Sequence, residues 1–198
     1  MPLWTWFDRK FTFDYPPGKF PDLLERYRGT PARLEDRLRG VDHKRLITNG
    51  GSGWTIKQNV GHLIDLETLG TKRLEQILAG EKELIAADLT NKRTNEADHN
   101  LRPITALLST FRRTRSTAVA KFANVAPEHW AKSGLHPRLK QQMRIIDIVY
   151  FMCEHDDYHL ARIAELLQLH VPRDRNQPRQ KSPRPFNTEP RPSKSNQD

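Results

Sequence analysis

Two histidines, His155 and His159, stand four positions apart within EHDDYHLARI, residues 154–163. On a helix that spacing separates two side chains by about 40° around the axis, so both rings share one face. Ile145, Ile148 and Met152 precede them at steps of three and four, and Leu166 follows in the same stripe. The histidines therefore continue a bundle-facing seam in which leucine is the ordinary choice. Two neutral imidazoles so placed can bind one divalent ion, each using its other nitrogen for a supporting hydrogen bond. Without an ion, two polar rings in a core need other partners.

An HxxxH pair alone is a weak metal signal and requires a third ligand from elsewhere. His62 is the best placed candidate, inside WTIKQNVGHLIDLE, one turn before Leu66 and on the edge of an apolar arc. His43, His99, His129 and His136 fall in connections or helix starts, and His170 at a helix end. The same spacing also fits a hydrogen-bonded core histidine facing a polar pair. Cys153 precedes His155 by two positions, about 200° around the helix, so it points away and reads as a small buried residue.

Around these rings, two further residues are expected to touch substrate. Arg162 lies one turn beyond His159, where a guanidinium can clamp an anionic group, pair with an acid or reach solvent. Asn59 lies one turn before His62 and can line the cavity. The acids nearest in sequence are Asp65 and Asp156, and neither sits on the ligand face. Asp156 could instead orient an imidazole from behind. There is no HExxH and no Ser or Cys triad motif.

The elements that must position these residues are helical. PDLLERYRG reads as a short helix starting at Pro21, and TPARLEDRLRG as another with Thr30 as N-cap and Pro31 at its first position, or the two as one broken helix. A second main helix runs from about 55 to 79, with Ile56, Val60, Leu63, Leu74 and Ile77 inward and Gly80 to end it. Gly61 and Gly70 within it permit close packing. A third helix lies in LRPITALLSTFRRTRSTAVAKFANV, and a fourth runs from about Gln141 to Leu169, where Pro172 prevents continuation. No strand pattern recurs, so the expectation is an all-α four-helix bundle. The aromatic-rich first twenty residues are expected to form an extended arm packed on it.

Composition divides the chain. Residues 1–171 are expected to form the bundle domain. Residues 172–198 hold six prolines and seven Lys or Arg against three acids, with no aliphatic residue, and are expected to be disordered. The formal net charge is +9. A basic tail can meet nucleic acid, but the body shows no basic run interleaved with aromatics, so a solvated tail is the expectation. A single cysteine excludes a disulfide framework, no run approaches a membrane span, and the N-terminus lacks a secretory pattern; the expected location is cytoplasmic.

WTIKQNVGHLIDLE, followed some ninety residues later by IIDIVYFMCEHDDYHLARI, resembles the DinB/YfiT-like family of metalloenzymes. FDRKFTFDYPPGKFPDLLERYRGTPARLEDRL also resembles the start of one bacterial branch, so the likeness covers about residues 4–169. The resemblance implies a four-helix bundle with a metal triad at His62, His155 and His159, and it makes a homodimer plausible. Members often carry glutamine three residues after the last histidine, where this chain has Arg162. Three imidazoles leave coordination positions open, as in a catalytic site, and suit zinc or nickel. Such an ion can make hydroxide from water or hold a thiolate. The family includes low-molecular-weight-thiol S-transferases and maleylpyruvate isomerases. The weak general base favours the thiol, because a thiolate needs none once the metal has taken its proton. The expectation is a metal-dependent transferase acting on a small molecule with a small thiol. Metal-dependent hydrolysis comes second, and a non-enzymatic, stress-related metal-binding or interaction protein is the rival.

Overall fold

The computed structural model describes residues 3–51 and 53–168; the tail expected at 172–198 lies outside them. In chain order the elements are α1 (Phe20–Arg28), α2 (Thr30–Leu38), α3 (His43–Leu46), α4 (Ile56–Leu78), α5 (Lys92–Glu96), α6 (Ile104–Ala123), β1 (Ser133–Leu135), β2 (Gln142–Arg144) and α7 (Ile145–Gln168). The fold is an all-α bundle of four long units: α1 with α2, α4, α6 and α7. No helix among the described residues is long and apolar enough to cross a membrane.

Local chemistry sets the helix ends. Thr55 and Gln58 form a reciprocal capping box at the start of α4: the Gln58 amide donates to Thr55 Oγ1 at 3.1 Å, and the Thr55 amide to Gln58 Oε1 at 3.0 Å. At its far end Gly80 takes φ 79°, and the Glu81 amide reaches back to the Gln76 carbonyl at 2.9 Å, a Schellman closure. Gly80 thus ends the helix where expected.

The first unit is one broken helix. Pro31 has no N–H to give the Tyr27 carbonyl, and that oxygen accepts instead from Arg115 Nη1 at 2.7 Å. Thr30 is not the N-cap expected from the sequence. Gly29 holds that position, and Thr30 Oγ1 donates to Asp156 Oδ2 at 2.7 Å across the bundle. The start of α7 also differs from expectation. Gln142–Arg144 pairs antiparallel with Ser133–Leu135, so the helix begins at Ile145 rather than Gln141. Asp147 then caps it, accepting the Arg144 amide at 2.9 Å.

The bundle has an apolar cluster at each end and a polar waist. One cluster includes Leu74, Ile77, Phe122, Ile148 and Val149; the other includes Val60, Leu63, Leu107, Phe111 and Ile163. Between them on three helices fall Glu67, Arg115 and Asp156, all buried. Arg115 donates to Glu67 Oε1 at 2.9 Å and to Asp156 at 2.6 and 3.0 Å, with its guanidinium 3.6 Å over the Tyr27 ring. Every charge in that waist is paired, as burial requires. Cys153 is also fully buried, its thiol near the Leu23 carbonyl, and burial pushes its pKa up. It is inert packing, as its helix position indicated.

The N-terminal arm packs along α7. Phe11 is buried, its ring 4.8 Å from Phe151, while Trp4 and Phe7 remain exposed. Arg144 Nη2 donates to the Phe13 and Tyr15 carbonyls at 3.1 and 3.0 Å, satisfying backbone oxygens of the arm.

Candidate metal centre

His62 projects from the middle of α4, and His155 and His159 from successive turns of α7. Both helices turn these faces inward because the flanking stripe residues are buried, Val60, Leu63 and Ile163 in one apolar cluster and Met152 in the other. The three rings are buried, and one ligand nitrogen from each lies within 4.8 Å of the others. Ring centroids stand 4.5, 4.9 and 5.2 Å apart. Residues separated by some ninety positions therefore converge on one point.

Hydrogen bonds fix which nitrogen two of the three rings present. Thr94 Oγ1 donates to Asp65 Oδ2 at 3.0 Å, so it accepts from His62 Nδ1, also at 3.0 Å. That leaves the lone pair of His62 on Nε2. Asn59 Nδ2 donates to the Thr55 carbonyl at 2.8 Å, which turns its Oδ1 toward His159 Nδ1 at 2.8 Å. His159 too presents an Nε2 lone pair. His155 differs: its Nδ1 is buried without a hydrogen-bond partner, and its ring meets the Trp6 ring edge-on at 4.9 Å. Its Nε2 lies 3.2 Å from His159 Nε2. Since the latter is a lone pair, either a proton or a shared cation must lie on the His155 side.

Burial disfavours charge on all three rings. The pKa values of His62 and His155 are pushed down to about 3, and that of His159 falls well below the ordinary value. Neutral imidazoles with converging lone pairs are the donor set a divalent ion needs. The residues present therefore fit a metal.

Behind the rings lie partners that sequence spacing did not reveal. Asp65 Oδ2 also pairs with His99 Nε2 at 2.9 Å, and Oδ1 with Arg93 at 3.1 Å. His99, placed in a connection by the sequence, is buried against Gly61, where an added Cβ would come within 2.3 Å of its ring. Gly61 thus permits close packing, against a histidine of a short 3-10 turn (His99–Leu101) rather than a long helix. Trp54 covers His62 at 4.5 Å between centroids. The only sequence signal for these was the presence of polar residues in a non-periodic stretch.

The other expected residues fall as follows. Asn59 lines the cavity, but its oxygen is taken by His159. Arg162 also lines the cavity and pairs with Glu165. Asp65 faces Thr94 and His99 rather than the ring nitrogens. Asp156 does not orient an imidazole; it belongs to the Arg115 network of the waist. The rings open into a mostly apolar cavity of about 690 Å³. Its one lining carboxylate among the described residues, Asp88, accepts from Thr90 and the Lys92 amide.

Comparison with known proteins gives the same architecture. YfiT from Bacillus subtilis, described as a probable metal-dependent hydrolase with an unusual four-helix bundle topology, superposes with a TM-score of 0.72 at 19% identity, covering 81% of this chain and 92% of that one. The mycothiol-dependent maleylpyruvate isomerase superposes with a TM-score of 0.61 at 13% identity, covering 78% of this chain and 63% of that one. No curated protein sequence matches. The DinB superfamily matches residues 26–163, and the chain belongs to that superfamily.

Proposed function

We propose that the chain is a metal-dependent transferase that activates a low-molecular-weight thiol at His62, His155 and His159. The observation that carries this reading is the convergence of three buried, neutral imidazoles at a cavity whose one lining carboxylate among the described residues, Asp88, is taken up by Thr90 and the Lys92 amide. A divalent ion there, zinc or nickel, would supply Lewis acidity and lower the pKa of a thiol or of water. The chain's own contribution is positional. Asn59 and the Thr94–Asp65 pair hold two rings in the tautomer that presents Nε2. Trp54 and Trp6 wall the rings and exclude water. Arg162, which lines the cavity, is assigned to an anionic group of the thiol or its acceptor. Water activation benefits from a base within hydrogen-bond reach of the nucleophile, and Asp65 and Asp156 are both committed elsewhere. That favours the thiol.

Hydrolysis is the second reading, because YfiT is described as a probable metal-dependent hydrolase and shares the fold. A binding protein without turnover is the third. Metal-loaded protein is to be assayed for loss of free thiol with electrophilic acceptors and for cleavage of activated esters. The proposal expects thiol consumption that stops in His62→Ala. Faster ester cleavage, equally dependent on His62, would replace it with the hydrolase. Stoichiometric metal without either activity would leave the binding protein. The cytoplasmic location and the homodimer belong to the same proposal, the latter to be checked by light scattering.

A further inference from the structure

The cavity has a second polar end. His136, just after β1, accepts at Nδ1 from the Arg138 and Leu139 amides at 3.2 and 3.1 Å. A ring nitrogen that accepts twice carries no proton, so the proton of the neutral ring is on Nε2. Burial and the nearby Arg73 and Arg138 push the pKa of His136 down to about 3, so the ring is neutral. His136 is 3% exposed, and its Nε2–H has no hydrogen-bond partner.

Two guanidiniums share this end. Arg73 is also 3% exposed; Nε and Nη2 donate to the Ile85 carbonyl at 3.1 and 3.0 Å, leaving Nη1 over. Arg138 Nη2 is buried without a partner. Burial and Arg138 bring the pKa of Arg73 down to about 10, and no carboxylate offsets them. A buried cation beside a half-buried one, with no acid between them, is costly unless an anion joins them. The contrast with Arg115, whose carboxylates are built in, is direct. Among the described residues, the buried side-chain polar atoms left without a partner at this end, His136 Nε2 and Arg138 Nη2, are both donors.

We propose that Arg73, Arg138 and His136 Nε2–H form an anion subsite for the charged head of an elongated, apolar substrate. The placement of its reactive end at the three histidines rests on the function proposed above; the subsite itself does not. The His136 ring is 5.5 Å from Phe151, which precedes His155 by one helical turn. Along α4, His62, Leu66, Leu69 and Arg73 line the same cavity. Arg73 lies eleven residues beyond His62, about 16 Å along α4, and the His136 path is shorter, so head and reactive end are separated by roughly 10–16 Å, with apolar wall between. That geometry suits an organic anion of medium chain length, a carboxylate or a sulfonate.

The test uses full-length protein stripped of metal by chelation, so that no carboxylate can bind an ion instead. Octanoate, octanesulfonate and octanamide are titrated by calorimetry and by the fluorescence of Trp6 and Trp54. At least one anion should bind about tenfold or more tighter than the amide, because a charge-assisted hydrogen bond is lost with the charge. The stronger of the two anions identifies the head. Arg73→Gln and Arg138→Gln should each reduce that preference by about tenfold. Among the described residues Arg138 donates no side-chain hydrogen bond, and its guanidinium meets only the exposed Phe7 ring at 5.5 Å, so its variant keeps the test decisive if Arg73→Gln fails to fold. Equal binding of anions and amide, or a preference untouched in Arg138→Gln, overturns the subsite. Anion preference in a protein that never consumes thiol would sustain the subsite and defeat the thiol reading alone.

Discussion

Asn59 decides which nitrogen of His159 faces the cavity. Its amide is held by the Thr55 carbonyl, and its oxygen takes the Nδ1 proton. Asn59→Ala should therefore weaken metal binding by about 10–100-fold while leaving the fold intact. Asn59→Asp, which keeps the acceptor, should retain most of the affinity. A competition titration against a chelator of known strength checks both. Behind His62 the support depends on a missing side chain. A Cβ at position 61 would come within 2.3 Å of the His99 ring and push it off Asp65. Gly61→Ala should cost about 1–3 kcal/mol in denaturant unfolding. At this scale the sequence was legible only where spacing is helical. His155, His159 and His62 could be placed on faces by counting. Thr94 and His99 meet Asp65 across 29 and 34 positions, through a connection without periodicity, and no count finds such pairs.

The helices were legible because their apolar residues repeat with the helical period, and Ile56, Val60, Leu63, Leu74 and Ile77 on α4 are buried as the pattern requires. Their ends were less so. The expected start at Gln141 failed because tertiary pairing with Ser133–Leu135 claimed three residues that a helix could also have used. Thr30 had the right chemistry for an N-cap, but Asp156 offered its hydroxyl a buried acceptor instead. Asp156 in turn is held by Arg115, which ties α6 to α7, and through Glu67 to α4. Phe111, Ala118 and Phe122 put Arg115 on the inward face of α6, but its residue type gave no reason to expect it buried. Arg115→Met should destabilise the protein by about 3–5 kcal/mol, because Glu67 and Asp156 are left as uncompensated buried charges. Chemical denaturation measures it. A loss within the range of ordinary surface substitutions would show that the waist relaxes or hydrates.

For the whole molecule, the buried histidines set the response to acid. Their folded pKa values, about 3 for His62 and His155, lie below the ordinary 6.5. As pH falls through 6.5 the unfolded chain takes up protons that the folded chain refuses. Metal-free protein should therefore lose stability between pH 6.5 and 3, on the order of 1 kcal/mol per pH unit for each ring. Below about pH 3 this contribution levels off. Urea midpoints across that window check the sign, and His155→Phe should flatten the slope. The family could be read from two histidine-bearing helices in order, whereas the chemistry of the cavity required coordinates: its walls come from the arm, three connections and two helices. The central claim is that three imidazoles from α4 and α7 share one divalent ion. Elemental analysis after loading with zinc or nickel and desalting tests it most directly. The account predicts about one ion per chain in the wild type and a small residual fraction in His62→Ala. Equal metal content in the two proteins, with His62→Ala folded, would contradict it.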